Sequence, residues 1–166
     1  SFELGGDMMN VAVTTTIFPN GNFGPIYETE PLEEEVWISG LPRLHIDVNT
    51  ATLGGQIYAL LEDCSDDGDC IHIGHAIMDL RYHEGGVEEQ TWLPVFENIN
   101  AKMEFFAIDA QIEAGHTLRL SLASTGEDYL PASTSSIVQI SEGPDSNLII
   151  DVIQPESKIL FDPPVC

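Results

Sequence analysis

The sequence predicts an all-β domain, an antiparallel β-sandwich or jelly roll. Three observations carry that expectation. Apolar and polar residues alternate with a period of two along most of the 166 residues, as in strands with one buried face. Clusters of Gly, Pro, Asp and Asn interrupt the alternation at short intervals. No stretch of ten or more residues carries the spacing of an amphipathic helix.

Residues 1–26 read as an irregular segment or as the first strand of the domain, with "NVAVTTTIF" the strand candidate and "NGNFGP" the turn after it. Residues 27–166 read as the jelly-roll domain itself. "EVWISG" is its next strand, with Trp37 expected in the core because it sits inside "VWI". After "GLP", the strand "RLHIDVN" alternates Leu44, Ile46 and Val48 with Arg43, His45 and Asp47. "LGG" separates it from "GQIYALLED". Past "DDGD", the run "IHIGHAIMDLRYH" places Ala76, Met78, Leu80 and Tyr82 on one face. His75, Asp79, Arg81 and His83 fall on the other, which reads as solvated. "AKMEFFAIDAQI" reads as a strand. So does "TLRLSLAS", where Leu118, Leu120 and Leu122 alternate with Thr117, Arg119 and Ser121. "SSIVQIS" and "NLIIDVIQ" close the series, divided by "EGPDSN".

Charge is the outlying property. Twenty-eight Asp and Glu face five Lys and Arg, for a formal net charge of −23. Nucleic acid is excluded as a partner, because phosphate binding needs clustered cations, and an anionic membrane surface is excluded for the same reason. A surface this acidic repels itself, and salt relieves the repulsion as the Debye length falls from ~10 Å at 0.1 M to ~3 Å at 1 M. The charge thus points to an extracellular or cell-surface location in a saline or marine environment. No apolar run approaches the ~20 residues of a membrane span. The opening "SFELGG" shows no signal peptide and reads as the start of a mature or excised fragment.

The segment Glu62–Gly74, "EDCSDDGDCIHIG", carries five acidic residues in its first eight positions and two cysteines. Two readings compete. A hairpin would run in along "GQIYALLED", turn at Gly68 and run out along "IHIGHAIMDLRYH". Cys64 and Cys70 would then face each other as a disulfide worth roughly 2 kcal/mol on the chain-entropy model. A structural calcium ion held by Asp66, Asp67 and Asp69 is the alternative. An EF-hand does not fit, since its twelfth position, where a bidentate Glu belongs, is Gly74. A zinc site from Cys64, Cys70, His72 and His75 matches no common spacing, and strand alternation would scatter its ligands over two faces. A cysteine pair with Cys166 left over fits an oxidising compartment.

The chain from about Tyr27 to Pro155 resembles the C-terminal β-domain of X-Pro dipeptidyl-peptidase and cocaine-esterase-like serine hydrolases. "ETEPLEEEVWISGLPRLHIDVNT" is similar to that domain's opening, and "GQIYALLEDCSDDGDCIHIGHAIMDLRYH" to its central hairpin. "AIDAQIEAGHTLRLSLASTGEDYLP" is similar to its most recognisable stretch, a "GH-x-L-R-L" strand followed by a Ser-containing turn and an aromatic–Pro pair. The resemblance implies a galactose-binding-like jelly roll attached to an α/β-hydrolase catalytic domain. It also implies a non-catalytic role: packing on the hydrolase, shaping access to its active site, or binding glycans or surfaces. Two departures stand out. The hydrolase itself does not lie in these residues, and the central turn is bounded by cysteines, which suggests an extracellular variant.

No catalytic motif is present. The nucleophile elbow G-x-S-x-G is absent, and carboxylates are too abundant for any pair to signal acid–base chemistry. His116, in "AGHTLRL", reads as a structural hydrogen-bonding residue. For a polysaccharide ligand, a sugar ring would stack on an exposed aromatic side chain. Trp92, Tyr129 and Tyr82 are the candidates.

Overall fold

The computed structural model describes residues 2–3, 14–17, 24–84, 89–126, 129–130, 137–141 and 145–153. Cys166 and the end of the predicted domain beyond Ile153 lie outside the described residues. The first strands are β1 (Phe2–Glu3), β2 (Thr14–Ile17), β3 (Ile26–Glu28), β4 (Val36–Gly40), β5 (Arg43–Thr50), β6 (Gln56–Cys64) and β7 (Cys70–Asp79). After a 3-10 turn at Leu80–Tyr82 come β8 (Asn98–Glu104), β9 (Ile108–Ile112), β10 (Thr117–Ala123), β11 (Val138–Ser141), β12 (Asn147–Ile149) and β13 (Val152–Ile153).

All pairings are antiparallel, and the strands make three sheets. The largest is organised on β5. Strand β8 lies along one side of β5, while β12 and β11 share the other, opposite residues 43–45 and 47–50. Strands β1 and β2 extend this sheet outward. The second sheet runs β3-β10-β6-β7, and the third runs β13-β4-β9.

The period of two in the sequence becomes the core. Leu44, Ile46 and Val48 of β5 are fully buried, as are Ile57, Ala59 and Leu61 of β6. Leu118, Leu120 and Leu122 of β10 join them, with Ala101 and Met103 of β8 and Ile38, Ile108 and Ile112 of the third sheet, in one cluster. The antiparallel β-sandwich therefore stands as the alternation predicted.

Several strand boundaries differ from expectation. "AKMEFFAIDAQI" is two strands that pair with different partners, β8 with β5 and β9 with β4. Between them the Phe105 N–H donates to the Pro42 carbonyl and the Phe106 N–H to the His75 carbonyl, so the chain leaves one sheet for another. "NLIIDVIQ" likewise divides into β12 and β13. β7 ends at Asp79, whose carboxylate accepts from the Arg81 N–H and caps the 3-10 turn. Arg81 and His83 thus do not share a strand face with His75. Trp37 is half-buried, not core; it lies beside fully buried Ile38 and its indole N–H donates to the Asp109 carboxylate.

Cys64 and Cys70 face each other at the end of the β6–β7 ladder and form the predicted disulfide. Gly68, at φ 88°, occupies the left-handed region in the turn between them. Nearby, His116 Nδ1 lies 2.7 Å from the Asp63 carboxylate, the structural hydrogen bond expected of it. The same ladder changes register once: Leu61 pairs with Gly74, but Glu62 pairs with His72, leaving Ile73 as a bulge.

Gly74 is buried where β9 crosses β7, and a Cβ there would lie 2.3 Å from Ile108 Cδ1 and 2.8 Å from Cγ1. Ile108 is itself buried and has little room to give. Gly74→Ala is expected to cost about 1–3 kcal/mol by overpacking. Ile108→Val, which removes the δ-methyl, should restore part of that loss. Thermal unfolding of the two single variants and the double variant checks this.

Candidate functional site

The bulge at Ile73 has a direct effect on side-chain direction. Residues 72 and 75 are an odd number apart and would face opposite sides of a regular strand. The extra residue puts both histidines on the outer face of the four-stranded sheet. His75 Nδ1 lies 3.2 Å from His72 Nε2, and His75 Nε2 lies 2.8 Å from the Tyr129 hydroxyl. Among the described residues four rings pack around His75: His72 and Phe106 at 5.1 Å, Tyr129 at 5.6 Å and Tyr58 at 5.8 Å between centroids.

Each ring is placed by backbone. Phe106 is held by its N–H bond to the His75 carbonyl. The segment after β10 lies directly on Tyr58, since a Cβ on Gly126 would come within 2.6 Å of that ring. The Tyr129 N–H donates to the Gly126 carbonyl and the Thr125 hydroxyl to the Tyr129 carbonyl, which folds Tyr129 back over the sheet. Tyr129 is therefore half-buried and engaged with His75, not displayed as a free platform.

Trp92 is 62% exposed, as a stacking platform requires. It lies on a loop fixed at several points. The Thr91 N–H donates to the Arg81 carbonyl, Leu93 is buried with its N–H on the Leu53 carbonyl, and the Phe96 N–H donates to the Thr50 carbonyl. Phe96, also exposed, has φ 62°, a left-handed conformation that costs a non-glycine residue about 1–2 kcal/mol. Tyr82 is half-buried and its hydroxyl accepts from Gln90 Nε2 at 2.8 Å, so it serves the loop. Arg81 ties the loop together, with Nε 3.0 Å from Asp79 Oδ1 and Nη1 3.3 Å from Gln90 Oε1. Burial acts to raise the Asp79 carboxyl, but the Arg81 hydrogen bonds and charge outweigh it and hold the group below its ordinary value.

Asp66, Asp67 and Asp69 are all exposed in the hairpin turn. Among the described residues no three His, Cys, Asp or Glu side chains converge as a metal cage. The disulfide also removes both thiolates from the four-ligand zinc set considered from the sequence. The structure does not join the three aromatic candidates into one site: Tyr129 belongs to the histidine cluster, and Trp92 and Tyr82 to the loop after the 3-10 turn. Sequence alternation would have set His72 and His75 on opposite faces, and it missed Tyr58 and Phe106 as companions of His75, because the bulge leaves no mark in the pattern.

Residues 6–147 match the family model for the X-Pro dipeptidyl-peptidase C-terminal non-catalytic domain. The chain belongs to this family. No curated protein matches it. Among solved structures, a CocE/NonD family hydrolase from Staphylococcus aureus superposes with a TM-score of 0.74 at 12% identity, over 91% of this chain and 34% of that one. An aminopeptidase from a marine sediment Thaumarchaeota archaeon gives 0.68 at 15% identity, over 78% and 25%. An α-amino acid ester hydrolase gives 0.67 at 17% identity, over 77% and 25%. At these identities the likeness is one of fold, and the X-Pro dipeptidyl-peptidase C-terminal domain spans about a third or less of the structures it matches.

The depressed Asp79 carboxyl has a signed consequence. Its stabilising effect is complete above the unfolded value of 3.8 and is lost as pH falls through the lower folded value. The melting-temperature gap between the parent domain and Asp79→Asn should be widest near neutral pH and close at more acidic pH. Paired thermal melts across that range measure it.

Proposed function

We propose that this domain docks on the α/β-hydrolase catalytic domain of a longer chain and shapes substrate access to it. The observation that carries the reading is a difference between two outer faces. On the β5 sheet that face is mostly polar, with His45, Asp47, Asn49, Asn98, Asn100, Lys102 and Gln139, and Ile149 beside Arg43 is its apolar exception. On the four-stranded sheet, among Gln56, Glu62, Arg119 and Ser121, it also presents half-buried Tyr58, Leu60, His75 and Ile77, flanked by Ile26 at 57% and Phe106 at 59% exposure. Residues 125–126 and 129–130 cover part of this face, but Ile26 and Phe106 beside it stay open to water, the kind of apolar exposure that a docked partner would cover. The family supplies the partner class, being the C-terminal domain of a larger hydrolase. The disulfide and the charge of −23 support an oxidising, saline setting outside the cell.

Ile26→Glu combined with Phe106→Glu should leave the isolated domain's melting temperature nearly unchanged, because both side chains are mostly exposed. In the longer hydrolase the same pair should uncouple the domains, giving two calorimetric transitions in place of one and altered KM for bulky substrates. A single unchanged transition with unchanged KM overturns the docking reading.

One observation favours a second reading. Trp92, Phe96 and Leu53 are exposed on two loops linked by backbone hydrogen bonds, a rigid apolar surface beside carboxylates that suits a polysaccharide. Retardation of this domain in a gel containing one class of soluble glycan, abolished in Trp92→Ala, is the expected outcome. Uniform mobility across a panel of glycans removes it.

A further inference from the structure

We propose that His72 and His75 bind a divalent transition metal of the zinc or copper class, with Glu62 as third ligand. The proposal concerns this chain alone and does not rest on docking. Its first ground is distance. Two imidazole nitrogens on one tetrahedral ion, at metal–nitrogen lengths of ~2.0–2.1 Å, stand about 3.3 Å apart. The observed separation is 3.2 Å, with ring centroids at 5.1 Å.

The second ground is the outer hydrogen bond. Metal-ligating histidines nearly always engage their other nitrogen, which fixes tautomer and ring orientation. His75 meets that condition: with Nδ1 on the metal, Nε2 carries the proton and donates to the Tyr129 oxygen at 2.8 Å. Three neighbouring rings hold the imidazole in place.

The third ground is the carboxylate across the ladder. Glu62 is the direct partner of His72 on the same outer face, where opposed Cβ atoms stand ~4.5–5.5 Å apart. Among the described residues no hydrogen bond restrains its carboxylate. Arg119, its neighbour on β10, is engaged by Glu28 at 2.6 Å. Among the described residues no three ligating side chains converge as the structure stands, so ligation by Glu62 requires a rotamer change. Water fills the remaining position. With both cysteines oxidised the donor set is nitrogen and oxygen, which suits zinc, copper or nickel over calcium or magnesium.

The test is calorimetric titration of the 166-residue chain with zinc and with copper(II), in high salt and a large excess of magnesium to occupy the acidic surface. One ion per chain is expected. Affinity should fall at least tenfold in His72→Ala and His75→Ala, and by about tenfold in Glu62→Gln and Tyr129→Phe. His45→Ala, remote on the other sheet, should bind as the parent does. Circular dichroism confirms that each variant is folded, and nitrogen hyperfine structure in the copper spectrum reports imidazole ligation. Binding that magnesium displaces, or that survives both histidine substitutions, overturns the proposal and assigns the affinity to the carboxylate surface.

Discussion

The ladder between β6 and β7 slips by one residue at Ile73, and much of the molecule is arranged around that slip. Before it, strand parity sets His72 outward opposite Glu62. After it, Gly74 and Ala76 turn into the core while His75 and Ile77 stay outside. Gly74 then offers β9 a place to lie close, with Ile108 seated where a side chain would have been. That close approach brings the chain past His75, so that the Phe106 N–H meets the His75 carbonyl and its ring joins the cluster. One unpaired residue thus couples a packing contact between sheets to the chemistry of an exposed face.

Electrostatics explains why the exposed chemistry is so local. With 28 acidic and five basic residues, each cation has a choice of partners, and the structure spends them on particular tasks. Arg81 locks the loop that carries Trp92 by gripping Asp79. Arg119 holds Glu28, tying β3 to β10 across their shared ladder. Among the described residues most other carboxylates are exposed to solvent.

The fold was legible wherever alternation had a single cause. In β5, β6 and β10 every second residue is buried in one core, and the sequence pattern matched the strands closely. The hairpin turn was legible because Gly68 and two cysteines mark it chemically. Alternation misled where burial came from two sources. Leu80 is buried from a 3-10 turn and continues the strand pattern by coincidence. Phe105 and Ile108 are both buried, although a corner between sheets separates them. Trp92 could be picked out as exposed because its neighbours are polar. Tyr129 could not be paired with His75, because their contact depends on a loop folding back over a bulge, and neither event has a periodic signature.

The shared edge of β5 has a consequence for how the molecule comes to exist. Residues 43–50 find their partners on that side only in β11 and β12, about ninety to a hundred residues later in the chain. The β6–β7 hairpin is local and can close early, with its disulfide as a latch, whereas the central strand of the larger sheet must wait with one row of backbone groups unpaired. A β5–β8 pair formed before those strands are synthesised would have an open edge, the kind that recruits other chains. A net charge of −23 would oppose association of such copies until β11 and β12 seal the edge.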